Sequence, residues 1–442
     1  MMYLLYDILL HLSLVLLLPY FLFKMLFVGK YRKGIWERFG FIGEEKLKNL
    51  FAGCAECHGK KIVWFHAVSV GETKAVLPLV RLLKEKHPDR KVVFSTVTPT
   101  GNAVAEKEGC QWIDSLIYFP LDFNWVVNKI VRLIKPSVFV VVEKEIWPNI
   151  LRVLKKDKVP VLIVNGVISD RSFERYKLFG FFFIRIFKNI SAFLSQTKKD
   201  SDKAIALGIE AQRVMLTGNM KFDITPPLWH LSEREAFMQG LGIKDSDKIV
   251  VAGSTHAGEE EIILNVFQRL KHEFPNLKLI LAPRHPERFN EVEKLVREKG
   301  LAVVRRTAVT PASRLQPPAS HDVILLDTIG ELSMIYSLAT AAFVGGTLVN
   351  IGGHNLMEPA LYRKPVIYGP SIKSCLEMAE MLESAGGAIR VNSEETLFEN
   401  IRELLLDETY RQNIGNAAYS VVEANKGATE KCLRVLERLM VE

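Results

Sequence analysis

The chain contains no GxGxxG fingerprint and no GxxxxGK[S/T] phosphate loop. A dinucleotide dehydrogenase and a P-loop ATPase are excluded with them, because each needs that glycine spacing to bring backbone N–H groups against a pyrophosphate. Dense Lys/Arg tracts and zinc-finger spacing are also missing. The formal net charge of +8 therefore points away from nucleic acid and toward a membrane surface or a phosphorylated ligand. No His/Asp ligand set marks a metal, and neither a metal nor another cofactor is expected. Cysteines number five, an odd count scattered over 442 residues, which suits a reducing compartment better than a disulfide framework. Cys54-Ala55-Glu56-Cys57-His58 matches the c-type haem attachment pattern and raises a membrane-anchored redox protein as a rival. The stretch lies between segments that read as cytosolic, so a chance match is expected. No internal repeat is present, and no small-residue cleavage site of the signal-peptide kind comes after the first apolar run.

That run is the plainest feature the chain does have. Residues 8–23 are almost wholly apolar and 25–28 extend them, with Lys24, Lys30, Arg32 and Lys33 alongside. A retained membrane anchor over residues 1–28 is expected, marginal in length for a full span and open to kinking at Pro19. It either spans the bilayer or lies in its interface; the basic flank puts the rest of the chain on the cytoplasmic side in both cases. Glu37, between Trp36 and Arg38, is then a carboxylate tethered within roughly 30–50 Å of the anchor's end.

From Lys61 onward, short apolar runs alternate with helical patterns, which predicts right-handed crossovers and doubly wound parallel sheets. Runs at 62–65, 91–94, 117–119, 138–142, 160–164, 195–197 and 214–217 make a first domain over residues 29–224. Residues 225–232, rich in proline and polar groups, read as a linker. Runs at 248–252, 277–281, 323–326, 341–344 and 365–368 make a second domain over 233–442, whose last helices can pack back on the first. Length and hydrophobic content suffice for two cores. The segment 178–190, rich in phenylalanine with Arg185 and Lys188, is either a membrane-dipping patch or a buried outer helix. Prolines around Pro311 mark an insertion.

Functional groups should collect at strand carboxyl ends. The run at 341–344 is followed by Gly345, Gly346, Gly352 and Gly353, then by Asn355 as a cap with Glu358 three residues on. A strand, a glycine loop and a helix start are expected to offer backbone N–H groups to an anion. Arg284 and the turn at Gly330 end neighbouring strands, adding a cation for one phosphate and an edge for a base or sugar. In the first domain Ser69, Glu72, Glu145 and Lys221 end strands in the same way, as softer candidates. These groups point to a nucleotide-sugar site paired with a lipid-anchored acceptor domain.

Seven segments carry a resemblance: Trp36-Glu37-Arg38-Phe39-Gly40, His66–Glu72, Glu145–Asn149, Gly218–Asp223, Pro283–Arg288, Asp327–Leu332 and Gly345–Glu358. In order and spacing, over essentially the whole chain, they resemble the lipid A 3-deoxy-D-manno-octulosonic acid (Kdo) transferases. The resemblance implies an α/β GT-B glycosyltransferase, two Rossmann-like domains facing a central cleft, with an N-terminal membrane-anchor helix. It implies a CMP-Kdo donor, the tetraacylated lipid A precursor as acceptor, contact with inner-membrane lipid and catalytic domains on the cytoplasmic side. Glu37 then corresponds to the catalytic base. CMP binding falls to Pro283, Arg284, Ile329, Gly330, Glu331, Asn355, Leu356, Met357 and Glu358. The alternative is another membrane-associated GT-B enzyme using a UDP-sugar, or a nucleotide-sugar epimerase.

Overall fold

The computed structural model describes residues 2–27, 33–46, 61–308 and 321–441. Cys54, Cys57, His58 and Pro311 lie outside them. The chain divides into two compact units, Met1–Ile224 with Asn425–Glu442, and Thr225–Ala424.

Unit 1 holds strands β1 (Ile62–Ala67), β2 (Lys91–Thr96), β3 (Ser115–Tyr118), β4 (Val138–Val142), β5 (Val161–Gly166), β6 (Ala192–Ser195) and β7 (Val214–Leu216). All pairs are parallel, in the order β3-β2-β1-β4-β5-β6-β7. Helices cover both faces, so β4 is buried at every position. The two-residue period of β1 sends Ile62 and Trp64 into one core and Val63, Phe65 and Ala67 into the other. The closing helix Ala428–Val441 belongs to this unit. Asp223 holds its start, accepting from the Gly427 and Thr429 amides at 2.6 and 2.5 Å, and Cys432, Leu433 and Leu436 fill the second core.

The most apolar stretch of helix α1 (Met2–Phe27) has a mean hydropathy of 2.0, and none of it is buried. A helix of the protein's own core would instead bury its apolar face. Its first turns are nonetheless fastened to unit 1. The Tyr6 hydroxyl donates to Asp122 at 3.0 Å, and the Asn149 side-chain Nδ2 donates to Asp7 at 2.8 Å. The Tyr3 ring meets Phe182, and the His11 ring lies 4.7 Å from Phe123. Beyond His11 the helix presents Leu12, Leu16, Phe23 and Phe27 to the outside. The phenylalanine-rich segment divides between the two readings open to it. Ile186 and Phe187 of the helix Gly180–Phe187 are buried, whereas Leu178, Phe179 and Phe181 are exposed.

Unit 2 holds β8 (Lys248–Thr255), β9 (Leu277–Pro283), β10 (Val303–Arg305), β11 (Val323–Leu325), β12 (Ala341–Val344), β13 (Val366–Tyr368) and β14 (Ala388–Arg390). These too are all parallel, in the order β10-β11-β9-β8-β12-β13-β14. Connections leave β8 toward β9 on one side and β12 lies on the other, so the switch point of the sheet lies between β8 and β12. Residues 225–232 are pinned to this unit: the Trp229 indole donates to Ser337 at 3.0 Å and its ring packs on Phe237.

Candidate active site

The carboxyl end of β8 is bulged. Register slips between Gly253 and Thr255, leaving Ser254 unpaired at φ 57°, a left-handed conformation rare outside glycine. The bulge pushes the Ser254 carbonyl against the loop after β12. A Cβ on Gly345 would stand 2.4 Å from that oxygen, so only glycine fits there.

The glycine loop does not offer its amides to a ligand as expected. The Gly345, Gly352 and Gly353 amides bond to the Gly253 and Gly346 carbonyls, and those of Gly346, Thr347 and Leu348 are taken by the fully buried Glu259. One of its oxygens accepts from the Gly346 amide at 2.7 Å and the His256 amide at 3.0 Å. The other accepts from Thr347 at 3.0 Å and Leu348 at 2.9 Å. A carboxylate of the protein's own thus occupies the place foreseen for an external anion. The helix after Asn355 is also a single turn, Met357–Ala360, too short to develop much of a dipole. Its N-cap position is Leu356 and not Asn355 as expected; Asn355, one residue earlier, accepts from the Met357 amide at 3.1 Å and donates to Glu358 at 3.3 Å.

The remaining nucleotide-site candidates surround the ends of β8, β9 and β12. The Arg284 amide donates to the Thr255 carbonyl at 2.9 Å, and its side chain is exposed, with no ion pair among the described residues. Ile329 is 84% exposed next to Gly330, whose φ is 98°. Glu331 is engaged by Arg306 at 3.0 Å and by the Thr328 hydroxyl. Tyr336 links this turn to the β8 end, its hydroxyl filling the space beside Gly253, and burial first, then the Glu358 charge, raises the tyrosine's pKa. The side chains of Leu356 and Met357 face the core, so neither can touch a ligand except through its backbone. Pro283 is buried at the end of β9.

In unit 1, Glu37 sits on the one-turn helix α2 (Ile35–Arg38) at the carboxyl end of β3. One carboxylate oxygen accepts from the Tyr118 amide at 2.8 Å; the other meets the Lys46 ammonium at 2.6 Å. Arg38 stacks over the Tyr118 ring and donates to the Val97 carbonyl, locking the turn to the sheet. Gly34, at φ 71°, lets the chain enter: a Cβ there would strike the Tyr118 ring at 1.9 Å. The softer candidates gather elsewhere on the same edge. Glu143, at φ 64°, pairs with Lys221 at 3.0 Å, and the charges of Glu143 and Glu145 bear on Glu72. Burial raises the pKa of Glu72 to about 7 and also raises that of Glu145. His66 is structural instead, stacked 3.7 Å from Phe119, with burial lowering its pKa to about 3.

Three partners of these sites carried no local sequence signal: Asp7, Asp122 and Glu259. Each bonds to groups more than 80 residues away. Among the described residues no three His, Cys, Asp or Glu side chains are placed to hold a metal ion.

The family model for 3-deoxy-D-manno-octulosonic-acid transferase (kdotransferase) matches residues 33–224. A 3-deoxy-D-manno-octulosonic acid transferase of Haemophilus influenzae is 34% identical over 411 residues, 92% of this chain and 92% of its own length. One of Aquifex aeolicus is 33% identical over 365 residues, 83% of this chain and 89% of its own. In fold, the UDP-GlcNAc 2-epimerase of Neisseria meningitidis bound to UDP-GlcNAc aligns at a TM-score of 0.58 over 85% of this chain and 100% of its own, at 14% identity.

Proposed function

The chain belongs to the 3-deoxy-D-manno-octulosonic acid transferases, glycosyltransferases with two Rossmann-like sheets of the GT-B kind, and on that premise we propose the reaction it performs. It transfers Kdo from CMP-Kdo to a glucosamine hydroxyl of the tetraacylated lipid A precursor, inverting the anomeric carbon and needing no metal. Glu37 removes the hydroxyl proton as that oxygen attacks. The C–O bond to phosphate breaks through an oxocarbenium-like transition state, and its electron pair leaves with CMP. Arg284 meets the developing phosphate charge, a role worth several kcal/mol for a preorganised cation. Ile329, Gly330 and Glu331 border the base, and Asn355 and Glu358 the ribose. With the loop amides taken by Glu259, the phosphate depends on side chains more than on the backbone.

The observation that carries this reading is the placement of Glu37: an oriented carboxylate at a strand end, on the unit that also bears the exposed apolar helix. The UDP-sugar alternative has likeness of fold alone behind it, at 14% identity. Incubation with CMP-Kdo and the lipid precursor should yield Kdo-bearing lipid by mass spectrometry, unchanged by EDTA. Stabilisation of the protein by UDP and not by CMP would sink the assignment.

We place α1 in one leaflet of the inner membrane, without crossing it, and the globular units on the cytoplasmic side. Asp7 and Tyr6 tie the helix start to unit 1, and the chain is back on the same unit by Ile35. Residues 28–34 reach at most about 25 Å, so a crossing would drag unpaired backbone through hydrocarbon. An N-terminal epitope tag is expected to be digested by protease in inverted vesicles and protected in intact spheroplasts. Digestion in spheroplasts would mean that α1 crosses.

A further inference from the structure

Two histidines 98 positions apart meet at the switch point of unit 2. His256 follows the bulged end of β8, and His354 stands in the glycine loop after β12. Their Nε2 atoms are 2.8 Å apart and the rings are coplanar within 4°. One Nε2 must donate its proton and the other accept it. A second proton between the two nitrogens would point two N–H groups at each other, so the pair holds at most one positive charge while the contact lasts.

The surroundings decide when it holds that charge. His256 is faced by His285, 5.2 Å away, by Arg284, and by Arg288, which is itself bound to Glu260 and Glu291. The Glu259 carboxylate accepts the His256 amide, fixing the loop that presents the ring. His354 is faced by His256, Arg284 and His285. Burial first, then these neighbours, lower both pKa values, that of His354 to about 4. Glu260 alone among the neighbours favours a charged His256. Burial and the nearby Arg284 therefore favour the neutral form of the pair. An oxyanion bound beside the pair would reverse the balance, since it favours the protonated form. Thr255, next in the chain, has a fully buried hydroxyl with no partner among the described residues.

We propose that His256 and His354 form a one-proton receptor for an oxyanion of the sugar donor, taking up a proton from solvent as that group binds. The proposal rests on the nucleotide-sugar reading of unit 2. Its chemistry suits the leaving group. When the anomeric C–O bond breaks and its electrons stay on oxygen, the phosphate passes from a singly charged diester to a doubly charged monoester. A pair able to gain one positive charge matches that gain of one negative charge. The oxyanion is the phosphate or the donor's carboxylate, and the test separates the two.

Calorimetric titration of the full-length protein with CMP at pH 7.2, in buffers of different ionisation enthalpy, counts the protons taken up. Uptake is expected to approach one proton per CMP, with none for cytidine. His354→Gln and His256→Gln should each bring it close to zero and weaken CMP roughly tenfold, as loss of a charge-assisted contact does. Uptake with intact CMP-Kdo but not with CMP would assign the pair to the carboxylate and still support it. CMP and CMP-Kdo both binding the unaltered protein without proton uptake would overturn it, as would full uptake in both folded variants. Failure of CMP to bind at all is a different result: it removes the donor reading itself.

Discussion

Glu37→Gln is expected to lower turnover by roughly 10²–10⁴-fold, the contribution of a positioned general base. The amide keeps the shape of the carboxylate and can still accept from the Tyr118 amide, so α2 should stay docked on β3. What it lacks is the basic oxygen for the acceptor's proton and the counter-charge to Lys46. That pair is partly open to solvent, and loss of such a contact costs at most about 1 kcal/mol of stability. CMP affinity should not move, because the nucleotide candidates all lie on unit 2. The assay is transfer of labelled Kdo to the lipid acceptor, read beside a thermal melt and a CMP titration. Turnover within about threefold of the unaltered enzyme, far less than a base supplies, would take the role from Glu37.

The second large effect is structural and concerns the glycine loop. Glu259→Gln replaces two accepting oxygens by one oxygen and an amide NH₂, which cannot accept from the backbone N–H groups facing it. At least two of the four donors at His256, Gly346, Thr347 and Leu348 would be left buried and unpaired. The cost is about 3 kcal/mol or more, since the lost bonds run to a charged acceptor and Glu259, Gly346 and Thr347 are buried. For a unit of this size that amounts to a fall in Tm of about 6–12 °C, together with loss of CMP binding. Glu261→Gln, two residues on, is the control. Its carboxylate is largely exposed, it pairs with Lys299 at 3.5 Å and with no other cation among the described residues, and stability should change by less than about 0.5 kcal/mol. Equal melts for Glu259→Gln and the unaltered protein would show that the loop holds without its internal carboxylate.

The central strands were legible because a parallel strand covered on both faces must be apolar throughout. The apolar runs at 138–142 and 341–344 coincide with β4 and β12, and the run at 62–65 opens β1. The edge strands β10 and β14, three residues each, carry no such run. Pairing with a neighbour, not composition, makes them strands. The motifs were equally readable as spacing, and spacing placed Arg284, Gly330 and Asn355 after the ends of strands, whereas Glu37 was read only as a carboxylate near the anchor and its seat on β3 came from the fold.

The contacts those motifs make were not readable. The glycine loop looked like an anion cradle because glycine spacing reports only that the backbone can come close. Glu259, 87 residues before Gly346, determines what it comes close to. Asn149 looked like part of a site loop, yet it ties down Asp7 at the start of the membrane helix. The sequence alone determined where strands, turns and the apolar helix lie, because those depend on local periodicity and local conformational preference. Only the tertiary structure decided which buried carboxylate meets which amide and which histidine meets which. Such pairings arise where two strand ends become neighbours in a sheet, and no local pattern encodes that.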